Sequence, residues 1–363
     1  MNYQTNSSVS TIKNLNINLK SSIFGQNNAI NQVVDKIMIS SAGLSDTDKP
    51  IASFLFTGPT GVGKTELAKE LAKNLNIHFE RFDMSEYSSK HGVSTLIGGE
   101  KSLVGYEEGG LLTNAIKKYP NCLLLLDEIE KADKTILNTF LQVFDYGILT
   151  DKKGNKIDFR KVIIIMTSNL GATVKSSVGF GSNSSSNKED EINDFLSPEF
   201  RARIDTKIEF NLLNKEMVNN ITNKFLEQLL IKLNNQYKTM ILTPQAFEEI
   251  TAKAFKSNLG ARYISKIINE TIKQKLAYEL LFGDFINNNQ VTIDFNNDFE
   301  YNFDNSQVSI ECTDSESNRF RTAQDAQEYA KNNPGVIITQ AKDGFGFIIK
   351  EKENIWTEFV NPF

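Results

Sequence analysis

Cysteine and histidine are scarce in this sequence, and their scarcity excludes several kinds of site. Only two cysteines, Cys122 and Cys312, occur in 363 residues. Cys122 opens an apolar run that is predicted to be a buried strand, so a structural disulfide is not expected and a reducing cytoplasm fits best. His78 and His91 are the only histidines. Because there is no Cys/His cluster, no transition-metal site is predicted.

Long apolar runs and an excess of positive charge are also missing. No uninterrupted run approaches the ~20 residues of a membrane span. Residues 1–10 are polar and lack the apolar core of a signal peptide. The formal net charge of -5 argues against a nucleic-acid partner, although a local basic patch stays compatible with it. With 40% hydrophobic and 23% charged residues, the chain is typical of a globular protein of about two or three domains.

The most specific pattern present is the phosphate-binding loop G-x-x-x-x-G-K-[ST], matched without exception. Residues 51–57 before it are apolar and predict a buried strand, and residues 66–75 after it show the leucine spacing of a helix. Lys64 can reach the β- and γ-phosphates of a nucleoside triphosphate, and Thr65 can place its hydroxyl on Mg²⁺. The loop consists of Gly58, Pro59, Thr60, Gly61, Val62, Gly63, Lys64 and Thr65.

Two further strands are predicted to end in polar residues that serve the same ligand. Residues 123–126 are four leucines, followed by Asp127 and Glu128. Asp127 suits holding Mg²⁺, and Glu128 suits deprotonating the attacking water. The strand over 162–166 is followed shortly by Asn169, which could bind the γ-phosphate or that water; alone, it would equally well be a turn residue. The sequence therefore predicts an enzyme that binds and hydrolyses a nucleoside triphosphate.

The pattern along the chain predicts an α/β fold with additional regions. Alternating strands and helices predict a parallel sheet, and later helical stripes predict a helical domain that ends in a strand over 290–295. We predict four regions: a flexible arm over 1–21, a large α/β domain over 22–207, a small helical domain over 208–303, and a small C-terminal unit over 304–363.

The C-terminal unit is predicted to be a β-α-β-β arrangement without a catalytic pattern. Its elements are predicted over 308–312, 322–330, 336–339 and 345–350. It is a candidate for substrate selection, and a small stabilising appendage is an equally good interpretation.

With these motifs placed, the chain resembles the AAA+ ATPases, and more narrowly the second ATPase module of the bacterial Clp unfoldases such as ClpA. The resemblance covers about residues 12–295 and implies a P-loop α/β domain followed by a small helical lid domain. Besides the phosphate loop and the acid pair, the matching stretches are 23–26 (IFGQ), 81–87 (RFDMSEY), 109–113 (GGLLT), 126–132 (LDEIEKA), 158–160 (DFR), 198–205 (PEFRARID) and 260–262 (GAR).

The resemblance implies roles for four more residues of the nucleotide site. Ile23 and Phe24 match the segment that contacts adenine. Arg203 matches the arginine finger that reaches the γ-phosphate held by a neighbouring subunit, a task that suits a permanent cation with a rigid donor fork. Arg262 matches a second sensor that touches ATP within its own subunit.

Two other segments bear on the biology. The family's pore loop usually carries a gripping aromatic, whereas this chain has Leu103 and Val104 there. Leucine offers less area and no flat face, so we expect weaker grip on a substrate chain. Val178, Gly179 and Phe180 match the tripeptide by which Clp ATPases dock on the ClpP peptidase. The alternative interpretation is a chance match of three residues within a Gly/Ser-rich segment.

The family's N-terminal domain and first ATPase module do not precede this module, and we expect a natural single-module protein, with an excised fragment as the alternative. The main hypothesis is a cytoplasmic hexameric ATPase ring that unfolds tagged or unfolded proteins and feeds a ClpP-type peptidase. A stand-alone remodeller or disaggregase is the second hypothesis. The third is a nucleotide-gated regulatory subunit that caps the peptidase or joins rings of a full-length relative. Neither nucleic acid nor a membrane is expected as a partner.

Overall fold

A computed structural model describes residues 6–98, 109–170, 188–257, 259–305, 319–320, 336–340 and 347–351. The chain falls into two compact units. The first extends to Ile221 and includes Ala254–Ile264; the second comprises Thr222–Lys253 and the described residues from Ser265 onward. Three helices contribute to both units, so the predicted boundary between residues 207 and 208 stays a prediction. Within the described ranges, every helix is too short or too polar to span a lipid bilayer.

The first unit is built on a five-stranded parallel sheet, as predicted. Its strand order is β2-β3-β6-β1-β7. The strands of the unit are β1 (Ala52–Thr57), β2 (His78–Asp83), β3 (Cys122–Asp127), β6 (Val162–Ser168), β7 (Thr206–Glu209) and a separate antiparallel pair, β4 (Ile148–Thr150) with β5 (Lys156–Asp158). The helices that begin in it are α1 (Asn6–Ser22), α2 (Asn27–Ser41), α3 (Lys64–Leu75), α4 (Lys90–Ile97), α5 (Leu111–Lys118), α6 (Lys134–Tyr146), α7 (Lys188–Phe195), α8 (Pro198–Arg201), α9 (Lys215–Asn234) and α11 (Ala261–Ile268).

Both faces of the parallel sheet are covered, which explains why its central strands are uninterrupted apolar runs. Every residue of β1, β3 and β6 is buried. On one face, Leu123 and Ile165 pack with apolar residues of α1, α2 and α3. On the other face, Leu124 and Ile164 pack with apolar residues of α5 and α6. This core fixes the sheet register, which pairs Thr57 with Ser168 and Leu126 with Met166.

The segment predicted to be a flexible arm, residues 1–21, is instead largely helical, and the prediction is wrong for residues 6–21. Helix α1 covers Asn6–Ser22 and packs on α2 and α3. Leu15 and Leu19 are completely buried, and Ile23 is 5% exposed. These three side chains recur every four residues and form one apolar stripe within an Asn/Ser-rich composition. The stripe anchors the helix to the core.

The second unit contains more strand than the sequence predicts. Strands β8 (Thr239–Leu242), β9 (Gln290–Asn296) and β10 (Asp298–Asp304) form a sheet in the order β10-β9-β8. Only β9 is predicted from sequence. The helices that begin within the described part of this unit are α10 (Pro244–Ser257) and α12 (Gln274–Phe282). Its core includes Leu229, Ile250, Ile272, Phe285 and Ile293, all less than 10% exposed.

The C-terminal region contributes a three-stranded antiparallel sheet in the order β11-β13-β12. Its strands are β11 (Arg319–Phe320), β12 (Val336–Gln340) and β13 (Phe347–Glu351). The last two agree with the predicted strands over 336–339 and 345–350. The predicted strand over 308–312 and helix over 322–330 lie outside the described residues.

Candidate nucleotide-binding site

The carboxyl ends of three neighbouring parallel strands meet at one edge of the sheet. Strand β1 ends at Thr57, β3 at Asp127 and β6 at Ser168. Because β1 neighbours β6 and β6 neighbours β3, the segments that follow them lie side by side. In open parallel sheets this edge is where ligands bind.

The loop from Gly58 to Gly63 joins β1 to α3 with a backbone that only glycine adopts readily. Gly61 has φ +79°, and a Cβ there would lie 2.7 Å from the carbonyl oxygen of Leu259. Gly63 has φ +109° and offers no side-chain cap to the first turn of α3. The helix N-terminus, with its partial positive charge, therefore opens onto the loop. The loop is shaped to place backbone N–H groups around a phosphate.

Lys64 is the first residue of α3, and its side chain folds back over this loop and is only 7% exposed. Its Nζ donates hydrogen bonds to the carbonyl oxygens of Gly58 and Pro59, the latter at 2.8 Å, and to Asn169 Oδ1 at 2.9 Å. Burial lowers the pKa of Lys64 to about 8, and the nearby carboxylates of Glu130 and Asp127 oppose this shift. The ammonium group thus lies between the phosphate loop and the polar ends of β3 and β6.

Asp127 is buried at the end of β3 and is surrounded by donors. It is 5% exposed. Its Oδ1 accepts a hydrogen bond from Thr167 Oγ1, and its Oδ2 lies 2.8 Å from Nη2 of Arg81. Thr65 Oγ1 lies 3.4 Å from Oδ2. A hydroxyl and a carboxylate oxygen this close are the hard ligands that Mg²⁺ prefers, so this donor set fits the predicted cation.

Glu128 has an unusual backbone conformation for a residue other than glycine. Its φ is +57° and its ψ is +54°. Such a conformation costs about 1–3 kcal/mol and persists only where the surroundings impose it. Here the Glu128 N–H donates to Thr167 Oγ1 at 3.0 Å. Its side chain lies near Asn169, with Nδ2 of that residue 3.5 Å from Oε1.

Asn169 connects the loop with Glu128 and Glu130. Its Oδ1 accepts from Lys64 Nζ and, at 3.3 Å, from Thr60 Oγ1. Its backbone N–H donates to Glu130 Oε1 at 3.0 Å. An amide group in this place has one end toward the phosphate-binding lysine and the other toward Glu128. This arrangement suits a side chain that would sense the outermost phosphate or the attacking water.

Three side chains of this site are not predicted from sequence. Arg81 on β2 forms an ion pair with Asp127. Thr167 on β6 donates a hydrogen bond to the Asp127 carboxylate and accepts one from the Glu128 N–H. Glu130 accepts a hydrogen bond from the Asn169 N–H. Arg81 and Glu130 lie in stretches that carry the family resemblance, but their individual roles do not follow from it. Only the register of β2, β3 and β6 brings them together. Glu130 Oε2 is buried and has no hydrogen-bond partner among the described residues.

A shallow, open pocket adjoins the phosphate loop in the same unit. Its mixed polar and apolar lining and its place beside the loop suit the edge of a nucleobase. The lining residues are Thr60, Val62, Leu212, Leu213, Val218, Ala254, Phe255 and Gly260.

The predicted adenine-contacting residues lie close to this region. Ile23 is buried, and its Cγ2 lies 3.8 Å from the position that a Cβ on Gly63 would take. Phe24 is half-buried. The adjacent Gln26 is buried and donates to the carbonyl oxygens of Val62 and Asn211 at 3.3 and 2.9 Å. The segment is thereby fixed against the phosphate loop.

The two predicted arginines have different surroundings. Arg262, in the first turn of α11, is close enough to act electrostatically on Lys64, and the N–H of the preceding Ala261 donates to Gly61 O at 2.8 Å. Arg203 instead forms ion pairs with Asp145 and Glu199. Leu103, Val104, Val178, Gly179 and Phe180 lie outside the described residues.

Two family models match the chain and meet almost end to end. The AAA domain (Cdc48 subfamily) matches residues 49–207, and the C-terminal, D2-small domain of ClpB matches residues 213–293. The phosphate loop, the acid pair and Asn169 lie in the first match, and Arg262 lies in the second.

Curated relatives carry Clp names. A ClpA homolog protein of Fuscovulum blasticum is 45% identical over 276 residues, 75% of this chain and 35% of the relative. The ATP-dependent Clp protease ATP-binding subunit ClpE of Lactococcus lactis is 42% identical over 271 residues, 73% and 36% of the two chains. The chaperone protein ClpB of Clostridium tetani is 40% identical over 283 residues, 76% and 33% of the two chains. The chain thus spans about a third of the length of these relatives.

A solved structure agrees with these relatives in fold. It is the closed-state cryo-EM reconstruction of Hsp104 with ATPγS and FITC casein, with a TM-score of 0.74 and 32% identity over 84% of this chain and 53% of that chain. The ATPase domain match and the small-domain match lie in succession between residues 49 and 293, and the shared fold covers 84% of the chain. The chain therefore belongs to the Clp family of AAA+ ATPases, and it carries that family's second ATPase module.

Proposed function

We propose that this chain binds and hydrolyses ATP, and that a homo-oligomeric ring of it, hexameric by resemblance to the family, uses the energy to unfold protein substrates. The observation that carries the proposal is the convergence of Lys64, Asp127, Glu128 and Asn169 at the carboxyl ends of three adjacent strands. A buried lysine, two acids and an amide at the end of a phosphate loop form a set suited to phosphoryl transfer to water.

In this proposal each side chain has one task. Lys64 exchanges its bond to Pro59 O for a phosphate oxygen. Thr65 and Asp127 would hold Mg²⁺, which would neutralise charge on the phosphates. Glu128 accepts a proton from the attacking water, and Asn169 orients that water. Ile23 and Phe24 contact the base, and Arg262 contacts the phosphates within the same subunit.

Arg203 completes the site of a neighbouring copy. Its guanidinium is a permanent cation with a rigid donor fork, which suits the charge that develops on the γ-phosphate. In related phosphoryl transfer such a residue contributes ~10³–10⁵ in rate.

The substitution Glu128→Gln tests the assignment. The amide cannot take a proton from water, so hydrolysis should fall by ~10²–10⁴-fold while ATP binding persists. Turnover is measured as phosphate release, and binding with a fluorescent ATP analogue. Glu248→Gln, at an exposed position of α10, is the matched control and should leave both unchanged. Normal turnover of Glu128→Gln would refute the assignment.

We propose further that the ring feeds a ClpP-type peptidase. The support is the tripeptide Val178, Gly179 and Phe180, together with relatives named as ATP-dependent Clp protease ATP-binding subunits in Lactococcus lactis and Staphylococcus epidermidis. An aliphatic and an aromatic side chain suit apolar clefts on a partner.

A second candidate function is a stand-alone remodeller or disaggregase of unfolded or tagged proteins. It is supported by the relatives named chaperone protein ClpB and by the Hsp104 structure solved with FITC casein. Neither name includes a peptidase.

Light scattering of the Glu128→Gln protein in ATP, with and without a ClpP-type peptidase, separates the two candidates. A ring that becomes heavier with peptidase supports the first, and a ring of unchanged mass supports the second. Deletion of residues 178–180 should abolish the mass increase. Deletion of residues 184–186, three serines nearby, is the matched control and should preserve it.

A further inference from the structure

Arg203 is held by two acids within its own chain. Its Nε lies 2.7 and 2.8 Å from the two carboxylate oxygens of Asp145. Its Nη1 donates to the carbonyl oxygen of Glu199 at 2.9 Å and lies 3.3 Å from the Glu199 carboxylate. The Arg203 side chain is 26% exposed. The guanidinium is therefore oriented by contacts at two of its nitrogens, Nε and Nη1.

The position of Asp145 is not explained by its own helix. It lies in the last turn of α6, which ends at Tyr146 and is closed by the left-handed Gly147. The C-terminus of a helix carries partial negative charge, so an acid there is unfavourable. The contact with Arg203, 58 residues further along, supplies the compensating cation. The bond raises the pKa of Arg203, which keeps the guanidinium charged.

The backbone that follows Arg203 is fixed as well. Asp205 accepts hydrogen bonds from Ser53 N and Ser53 Oγ at 2.7 and 2.8 Å, and it pairs with Lys36 at 2.6 Å. Ser53 lies on β1, the strand that leads into the phosphate loop. Backbone and side chain of Arg203 are thus both constrained. A long side chain held in this way loses less rotamer freedom when it reaches a ligand.

We propose that Asp145 is the positioning residue that orients Arg203 toward the γ-phosphate bound by a second copy of this chain. This inference rests on the proposed function, because it requires Arg203 to act across a subunit boundary. Asp145 itself touches no nucleotide. It engages Nε, and Glu199 engages Nη1, which leaves Nη2 for the phosphate.

Asp145→Asn should reduce turnover without changing nucleotide binding. Asparagine retains one acceptor oxygen but loses the charge and the second contact with Nε. We expect kcat to fall about 10-fold, with the ATP KM changed less than about 2-fold, because the nucleotide is bound by other residues. Arg203→Ala should cost ~10³-fold or more. Asp158→Asn is the matched control and should leave kcat unchanged. Like Asp145, Asp158 accepts two hydrogen bonds from an arginine, here from Nε and Nη2 of Arg160 at 3.0 and 2.7 Å.

Combining Asp145→Asn with Arg203→Ala distinguishes positioning from a general structural role. If Asp145 acts through Arg203, the double variant should be no slower than Arg203→Ala alone. An equal further loss in the Arg203→Ala background would overturn the proposal. A gain of turnover by Asp145→Asn would also overturn it, because Asp145 would then sequester the arginine.

Mixed rings provide the decisive measurement. Glu128→Gln subunits have an intact Arg203 but do not hydrolyse, and Arg203→Ala subunits have the opposite defect. Mixing the two should restore turnover at sites where an intact Arg203 faces an intact Glu128. Adding Asp145→Asn to the Glu128→Gln subunit should lower this rescue about 10-fold, whereas adding Asp158→Asn should not.

The outcomes test the role of Arg203 and the role of Asp145 separately. Normal turnover of Arg203→Ala, or no rescue on mixing, would refute the role of Arg203 across subunits and this inference with it. Rescue that Asp145→Asn leaves unchanged would refute the role of Asp145 alone. Ring mass and thermal unfolding are measured for every variant to identify any that fails to assemble. If Asp145→Asn fails to assemble, Asp145→Glu, which keeps the charge, should restore assembly and at least part of the rescue. Assembled Asp145→Glu rings without rescue would overturn the proposal.

Discussion

Two aspartate–threonine pairs, one in each compact unit, have the same chemistry in different surroundings. In the first unit, Thr167 Oγ1 donates to the buried Asp127, which also contacts Arg81 and Thr65. In the second unit, Thr243 Oγ1 donates to Asp294 at 2.6 Å and accepts from the N–H of Ala246 at 3.3 Å.

The second pair is explained by local structure, and the first is not. Thr243 precedes α10 and caps its first turn, a common reason for threonine at that place. Asp127 and Thr167 lie at the ends of two strands and cap no helix, and Asp127 is kept from water. Burying a carboxylate is costly unless several donors compensate, so this pair indicates a site, whereas the other indicates a helix start.

Of the substitutions in the two aspartate–threonine pairs, Asp127→Asn should cause the largest loss of ATP turnover. The amide is a poor ligand for a divalent cation, and loss of several kcal/mol of charge stabilisation corresponds to a loss of at least ~100-fold in turnover. Steady-state ATP hydrolysis across a Mg²⁺ titration measures it. Turnover equal to that of the unaltered protein would remove Asp127 from the proposed site.

Thr167→Val should have a smaller effect on the same reaction. The substitution keeps the shape but removes the hydroxyl that bonds Asp127 and accepts the Glu128 N–H. We expect turnover to fall about 10-fold, because Glu128 loses a contact that fixes its left-handed backbone. The kcat and KM for ATP are compared. An unchanged kcat would mean that this pair has no more catalytic importance than the one in the second unit.

Glu130→Ala should reduce turnover by a similar or smaller factor. It removes the acceptor that holds the Asn169 N–H at 3.0 Å, so the amide of Asn169 is less well positioned. Glu130→Gln retains an acceptor oxygen and serves as the matched variant with the smaller loss. We expect up to about 10-fold for alanine, measured as kcat. Equal kcat for both variants and the unaltered protein would contradict the role.

Thr243→Val should have the smallest effect and a different kind of effect. It removes a helix N-cap, which costs about 1 kcal/mol of stability. Urea unfolding followed by circular dichroism measures this change, and ATP hydrolysis at a temperature well below unfolding should be unchanged. Loss of turnover in the folded protein would show that the comparison between the two pairs is wrong.

A prediction of another kind concerns substrate handling. Leu103→Tyr places an aromatic side chain at the proposed pore-loop position. The rate of unfolding of a protein substrate should then rise while the rate of ATP hydrolysis stays the same. Loss of fluorescence from a tagged fluorescent protein measures this. Leu103→Met, which is flexible and not aromatic, is the control. If the tyrosine variant gains nothing, the leucine is not what limits grip.

Local patterns were predictable where one stretch of chain supplies all the parts. Residues 58–65 carry their own turn geometry, and the adjoining apolar run and leucine spacing define the strand and the helix. The parallel sheet follows from the alternation of such units. The flexible arm was predicted wrongly because asparagine and serine dominate the composition, whereas only Leu15, Leu19 and Ile23 decide that α1 packs. Strands β8 and β10 were missed because they are stabilised by pairing with β9, which lies between them, and not by an apolar pattern of their own.

Contacts across the sheet were not predictable in the same way. Arg81 meets Asp127, and Thr167 meets Asp127, only because β2, β3 and β6 pair in one register. A shift of one residue would turn each side chain to the other face of the sheet. The same holds for Arg203 and Asp145, which no spacing in the sequence connects. The roles of Leu103 and of residues 178–180 stay predictions.

The sequence by itself determined that this chain has a phosphate loop, two acids and an amide at the ends of buried strands, since each of these is encoded by neighbouring residues. Tertiary structure decided which further side chains support them: Arg81 and Thr167 on Asp127, Glu130 on Asn169, and Asp145 on Arg203. The physical reason is that hydrogen bonds and ion pairs act only over a few ångströms. Packing of the apolar core, not proximity along the chain, brings these partners within that distance.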